Sequence, residues 1–266
     1  MRARYLAVVL FLLLSASAQN NNTGEQLYQR AMDAVSGSGP SRNDLEAIDY
    51  FKRSAELGYI PAQVAVGFFY DTGTLLPGSD SQAAEWYRKA ADKGDPLAQW
   101  LLGRVYFQGS GIPQDVSSAE KYLRSAAAQQ NPFGQYLLGR LYSDRDYTKS
   151  PALYRAAAEQ GLPQAQYYYG KALKDGRGIR QDRNEAYVWL LMSLDGGYDQ
   201  GRLDLTEIEG LLLPAEIARA KNKAREMEET MTRAVVAKGC TGWEGEFYTT
   251  PSPPPLRTQR FCHGGK

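Results

Sequence analysis

Histidine is almost missing from this sequence: His263 is the only one, and it sits in a proline-rich tail. A Ser-His-Asp or Cys-His relay would have to recruit that residue, so neither is expected. Cysteine occurs twice, at Cys240 and Cys262. Both lie near the end, so no disulfide framework or cysteine-based metal module organises the body of the chain. A disulfide between them, closing a loop of 23 residues, would contribute about 3 kcal/mol on the chain-entropy account. The alternative is a metal site of Cys240, Cys262 and His263, whose spacing matches no usual zinc pattern. No metal and no cofactor is expected. Charge of one sign is also lacking, with 31 basic residues against 30 acidic, and so balanced a surface has no electrostatic footprint for nucleic acid.

Long apolar runs are confined to the start. Residues 6–14 form one of nine residues, preceded by Arg2 and Arg4 and followed by Ala16 and Ala18. A bilayer core of about 30 Å needs roughly 20 residues, so this pattern predicts a cleaved secretory signal over 1–18 and no membrane span. Export to the periplasm or the outside follows as an expectation. Without Arg2 and Arg4 the remainder holds 29 basic and 30 acidic residues, a formal charge of −1. Residues 19–25 form a polar leader.

What the chain has in abundance is repetition. "AQVAVGFFY", "AQWLLGRVY", "GQYLLGRLY" and "AQYYYGKAL" align on Gly67, Gly103, Gly139 and Gly170, at steps of 36, 36 and 31 residues. A second phrase keeps the same beat, from "AIDYFKRSAELG" at Ala47 to "AYVWLLMSLDGG" at Ala186. Two segments of helical period recurring every 30 to 40 residues define a helical repeat array. In the first phrase the glycine lets a neighbouring helix approach closely, and in the second the alanines do the same. A hairpin of two such helices cannot bury its apolar faces alone, so the copies must stack.

Between the phrases, "GSGIPQD" at 109–115 returns as "GRGIRQD" at 176–182. A phosphate-binding loop should follow a strand. Here a helix precedes, and the reading is a turn: Gly109 and Gly176 end one helix in a left-handed cap, while Asp115 and Asp182 N-cap the next. Ile112 and Ile179 tuck under the hairpin. Beyond the array, residues 203–213 read as a short apolar helix. A longer one follows from Pro214 to about residue 238, with Ile217, Ala220, Ala224, Met227, Met231 and Ala234 on one face, closing the open end of the array. The tail from 239, with its prolines and four aromatics, reads as extended chain.

These phrases resemble the Sel-1-like repeat family, relatives of the tetratricopeptide repeats, over residues 26–200 in five copies of which the first is degenerate. The resemblance implies an all-α, right-handed α/α superhelical solenoid of about five helix-hairpin repeats, with 201–238 as C-terminal capping helices and 239–266 as a tail. It also implies a bacterial envelope or extracellular setting and a non-enzymatic role as a protein-interaction scaffold. Cysteine-rich relatives described as β-lactamase-like or penicillin-binding hydrolases supply the alternative. They carry a disulfide within each repeat, and this chain has none there. An adaptor role in chaperoning, like that of eukaryotic lumenal relatives, is a third reading to which no residue points.

No catalytic set emerges. The S-x-x-K match at 118–121 lacks its partner motifs, Lys149 and Ser150 lack a nucleophile elbow, and Glu228 and Glu229 read as solvated charge. One constellation does recur: three residues before the phased glycine stand Trp100, Tyr136 and Tyr167, and one residue after it Arg104, Arg140 and Lys171. Positions four apart share a helix face. The earlier copies place Tyr28 with Met32, and Val64 with Phe68, on the same row. In superhelices of this kind that face lines the concave groove, so the resemblance makes Tyr28, Phe68, Trp100, Arg104, Tyr136, Arg140, Tyr167 and Lys171 a row that binds a peptide or protein partner. An acidic or aromatic segment suits it. The plainer reading makes the aromatics inter-repeat core and the cations a solvated edge.

Overall fold

The computed structural model of the chain describes residues 23–35 and 43–237. The signal at 1–18, most of the polar leader, the tail and the Cys240–Cys262 pair lie outside the described residues. Among those described, every regular element is helical. In order they are α1 (23–35), α2 (Asp44–Glu56), α3 (Ile60–Thr72), α4 (Asp80–Ala91), α5 (Pro96–Gln108), α6 (Val116–Ala128), α7 (Pro132–Ser143), α8 (Ser150–Ala158), α9 (Pro163–Asp175) and α10 (Arg183–Asp195). A 3-10 turn at Asp199–Gly201, α11 (Arg202–Glu209) and α12 (Pro214–Ala237) complete the chain. The odd-numbered helices from α1 to α9 carry the first phrase and the even ones from α2 to α10 the second. At the start of α1, Gly24 lies against Tyr59 and its carbonyl accepts the Ser54 hydroxyl at 2.6 Å.

Turn chemistry sets the helix limits. Gly73, Gly109 and Gly176 close α3, α5 and α9 at φ of 67°, 73° and 67°, a conformation that costs glycine little. Pro61, Pro96, Pro132 and Pro163 stand in the first turn of α3, α5, α7 and α9, where a missing donor is harmless. Asp115 accepts from the amides of Ser117 and Ser118 at 2.9 and 3.1 Å, and Asp182 from that of Glu185 at 2.9 Å. Asp182→Ala is expected to cost about 1 kcal/mol and Asp182→Asn much less, read as a shift of the urea midpoint. Equal losses from both would remove the cap from the account.

The chain divides into two compact units, residues 1–119 and 120–266. In the first, Phe51 and Tyr87 are wholly buried. The Phe51 ring meets Phe69 edge-on at 5.1 Å and Tyr28 at 5.5 Å. Tyr87 lies flat against Gly67, where a Cβ would stand 2.7 Å from its ring carbons. The second unit repeats the device. A Cβ on Gly139 would stand 2.7 Å from the Tyr154 ring, and one on Gly170 2.9 Å from Leu190. Gly67, Gly139 and Gly170 are thus sockets for a large side chain of the following helix.

At the C-terminal end α12 covers α10. Ala220 and Ala224 are buried, and Ile217, Met227 and Met231 pack on the same core. The Ala234 side chain lies outside the described residues. The expected apolar helix over 203–213 is shorter than its pattern. Leu205 and Ile208 are buried, but Leu203, Leu211 and Leu213 are exposed, because the chain turns at Gly210 and Leu213 already leads into α12, its amide held by Glu216 at 2.8 Å. No helix among the described residues is long and apolar enough to cross a membrane.

Candidate functional site

The residues with catalytic look-alike spacing are tied into structure. Ser118 donates its hydroxyl to Asp115 at 2.6 Å as part of the α6 cap, and Lys121 lies over the Tyr122 ring at 5.1 Å. Lys149 pairs with Asp146 at 2.7 Å while Ser150 donates to the Tyr147 carbonyl. Burial, with Asp195 nearby, pushes the Glu228 carboxyl upward. Among the described residues no group of three or more His, Cys, Asp and Glu could hold a metal ion.

The two glycine loops likewise turn inward. In the first, the amides of Ser110 and Asp115 go to the carbonyls of Val105 and Tyr106. In the second, those of Arg177 and Asp182 go to Ala172 and Leu173 at 3.0 Å each. Gly111 and Gly178 take φ of 69° and 75°. They lie directly against the preceding hairpin, a Cβ on Gly111 falling 2.3 Å from Asp80 and one on Gly178 falling 2.2 Å from the Tyr147 carbonyl oxygen. Amides committed to the chain's own carbonyls and glycines pressed on backbone make a packing corner, not a phosphate cradle.

The aromatic and basic row divides between the two units. In the first, Trp100 and Val64 are buried, at 7% and 5% exposure, so packing claims both. Tyr28 and Phe68 are half-buried, Tyr28 lying between Phe51 and Tyr59. Arg104 forms an ion pair with Asp71, each side chain about one-fifth exposed, and Asp71 also accepts the Tyr87 hydroxyl at 3.0 Å. The Arg104 charge is therefore already balanced within the fold.

The second unit holds Tyr136, Arg140, Tyr167 and Lys171. Tyr167 is buried, at 8%. Lys171 lies 3.7 Å from Asp204, and Asp204 also accepts from Lys174 at 2.6 Å, with Glu207 on the same ammonium at 2.6 Å. Burial works against the Lys174 charge, yet these two carboxylates more than offset it and lift its pKa. Arg140 differs. Its Nη1 donates to the Tyr136 hydroxyl at 3.1 Å, and its guanidinium carbon stands 4.9 Å over the Tyr168 ring. No carboxylate among the described residues pairs with it. Burial pushes the Tyr136 phenol up, with Arg140 pulling the other way.

Around Arg140 the tyrosines are continuous. Tyr168 stacks on Tyr154 at 5.3 Å, meets Tyr136 at 5.7 Å and meets Tyr167 edge-on at 5.0 Å. Tyr167 in turn reaches Tyr198 at 5.5 Å. These rings come from α7, α8, α9 and the turn after α10. Counting from the phased glycine finds Tyr136 and Tyr167 only. The triplet "YYY" at 167–169 was the visible signal for Tyr168, whereas Tyr154 and Tyr198 arrive from other helical phases.

Five consecutive stretches, residues 35–59, 60–95, 96–131, 132–162 and 163–198, match the Sel1 repeat. Among solved structures, a protective antigen of uropathogenic Escherichia coli displaying an SLR fold is similar, at 27% identity and a TM-score of 0.68, over 85% of this chain and 50% of the antigen chain. This chain thus spans half the antigen's length. A Sel1 repeat protein from Oxalobacter formigenes is similar at 25% identity and a TM-score of 0.61, over 77% of this chain and 88% of that one. No curated protein matches the sequence. Proteins of this repeat are typically protein-interaction scaffolds. With its repeats filling residues 35–198, the chain belongs to the Sel1 repeat family.

Proposed function

We propose that the protein is an exported, non-enzymatic scaffold that holds a peptide or protein partner on the aromatic and basic face of the first helices in its repeats. The observation that carries this reading is the cation that recurs one residue after three of the four phased glycines, at Arg104, Arg140 and Lys171, one turn from an aromatic ring. In α7 and α9 those cations keep part of their surface in water. Half-buried Tyr136 supplies apolar area beside Arg140, half-buried Tyr28 and Phe68 supply it in the first unit, and rigid rings next to a charge favour contact with another polypeptide. The leader with Arg2, Arg4 and the apolar residues 6–14 supports export.

Crosslinking in the native cell tests the proposal. The wild-type chain is expected to trap a discrete partner, and Arg140→Glu combined with Lys171→Glu to lose most of it while the melting temperature stays within a few degrees. A trapped partner that is indifferent to both reversals would move the interaction off this face.

A further inference from the structure

We infer that Arg140 and the tyrosines around it form a binding site for a single carboxylate side chain, aspartate or glutamate, carried by an extended partner segment. That the carboxylate belongs to a polypeptide rests on the scaffold reading above. The site itself rests on charge and geometry. Of the three recurring cations, Arg104 is matched by Asp71, and Lys171 shares Asp204 with Lys174. Arg140 has only the neutral Tyr136 hydroxyl as a side-chain hydrogen-bond partner among the described residues. A half-buried guanidinium facing phenols bears a desolvation cost that no ion pair offsets. An incoming carboxylate supplies the missing charge.

The geometry admits it. Nη1 is occupied by Tyr136 and one face of the guanidinium by Tyr168, which leaves the edge formed by Nε and Nη2 without a hydrogen bond among the described residues. That edge has the spacing of a carboxylate, which it grips with two parallel bonds. The walls of Tyr136, Tyr154 and Tyr168 match the methylene stem of a glutamate or aspartate and an aromatic neighbour in the segment. A phosphate dianion fits less well, since a single guanidinium leaves its second charge unmatched and Lys171 and Lys174 are already paired with Asp204 and Glu207.

The full chain labelled with nitrogen-15 at arginine reports on the site through the Arg140 Nε–H resonance, assigned by its disappearance in Arg140→Met or, independently, in the charge-keeping Arg140→Lys. Titration with acetyl-Gly-Glu-Tyr-Gly-amide is expected to move that resonance and to saturate. The Gln counterpart of the peptide should bind at least ten-fold more weakly, inorganic phosphate more weakly than the Glu peptide, and Arg140→Met should lower affinity for the Glu peptide at least ten-fold. Equal binding of the Glu and Gln peptides, tighter binding of phosphate, or a stationary Arg140 signal would overturn the inference, and the wild-type titration decides this even if Arg140→Met fails to fold. A cellular partner lost with Lys171→Glu but kept by Arg140→Met would overturn this site and leave the scaffold standing. A saturating, Glu-selective titration with no partner trapped in cells would support the site while removing the scaffold reading.

Discussion

Gly178→Ala is expected to destabilise the second unit by about 3 kcal/mol, while Gly197→Ala, at an equally left-handed φ, costs about 1 kcal/mol. The two positions share a backbone conformation, φ 75° and 87°, and differ in what surrounds them. A Cβ at Gly197 meets nothing within 4 Å, so only the left-handed strain of an L-residue is felt there. At Gly178 it meets the carbonyl oxygen of Tyr147 at 2.2 Å and Pro151 at 3.2 Å, and backbone cannot rotate out of the way as a flexible side chain can. The first unit offers the same contrast between Gly111, pressed on Asp80 and Ser81, and Gly94, which is open. Urea unfolding followed by far-ultraviolet circular dichroism measures both pairs. If Gly178→Ala cost no more than Gly197→Ala, the loop would be a free turn and its second glycine would need another explanation.

The sequence displays this loop and the helices around it because both depend on local chemistry. Glycine at a left-handed cap, aspartate at the next N-cap and proline in the first turn each act over three or four residues, so their spacing survives in one dimension. The phased glycines are legible for a related reason: a missing side chain at a fixed beat can only mark a close approach, and Tyr87, Tyr154 and Leu190 fill those gaps. The exposure of the aromatic row was not legible. Helical period separates two faces, but a first helix in a repeat array packs against its own hairpin partner and its neighbours. In α5 every residue from Leu97 to Gly103 is buried. Trp100 and Tyr167 fall on that enlarged interior, whereas Arg140 and Lys171, one turn on, reach its rim. The Arg104–Asp71 pair spans 33 residues and left no local trace.

The recurring "AQ" held a further signal that helical period alone passes over. Gln63, Gln99 and Gln166 are buried, and each side-chain amide donates to the carbonyl eight residues earlier, at Ala55, Ala91 and Ala158, over 3.1 to 3.4 Å. The glutamine stitches the start of α3, α5 and α9 to the end of the helix before it. A polar residue repeated at an interior position is a structural hydrogen bond wherever backbone groups at a helix end need a partner.

Tyr87→Ala is expected to cost about 3–5 kcal/mol, the range for emptying a wholly buried aromatic site. The ring lies in the Gly67 socket, fully enclosed, and its hydroxyl is held by Asp71 at 3.0 Å, so Tyr87→Phe should lose a smaller part, about 1–3 kcal/mol, through the bond to the carboxylate. The socket itself is tested by combining substitutions. In the wild-type background, Gly67→Ala drives a methyl group to 2.7 Å from two ring carbons, and the anchored ring has no direction in which to yield. In the Tyr87→Ala background the same methyl enters the space the ring has left, and alanine's better helix propensity, about 1 kcal/mol over glycine, is then gained without opposition. Gly67→Ala should therefore change sign, destabilising beside Tyr87 and stabilising beside Ala, with a coupling of at least about 1 kcal/mol in a double-mutant cycle. Additive effects in urea titrations of the four proteins would show that the glycine accommodates something other than this ring.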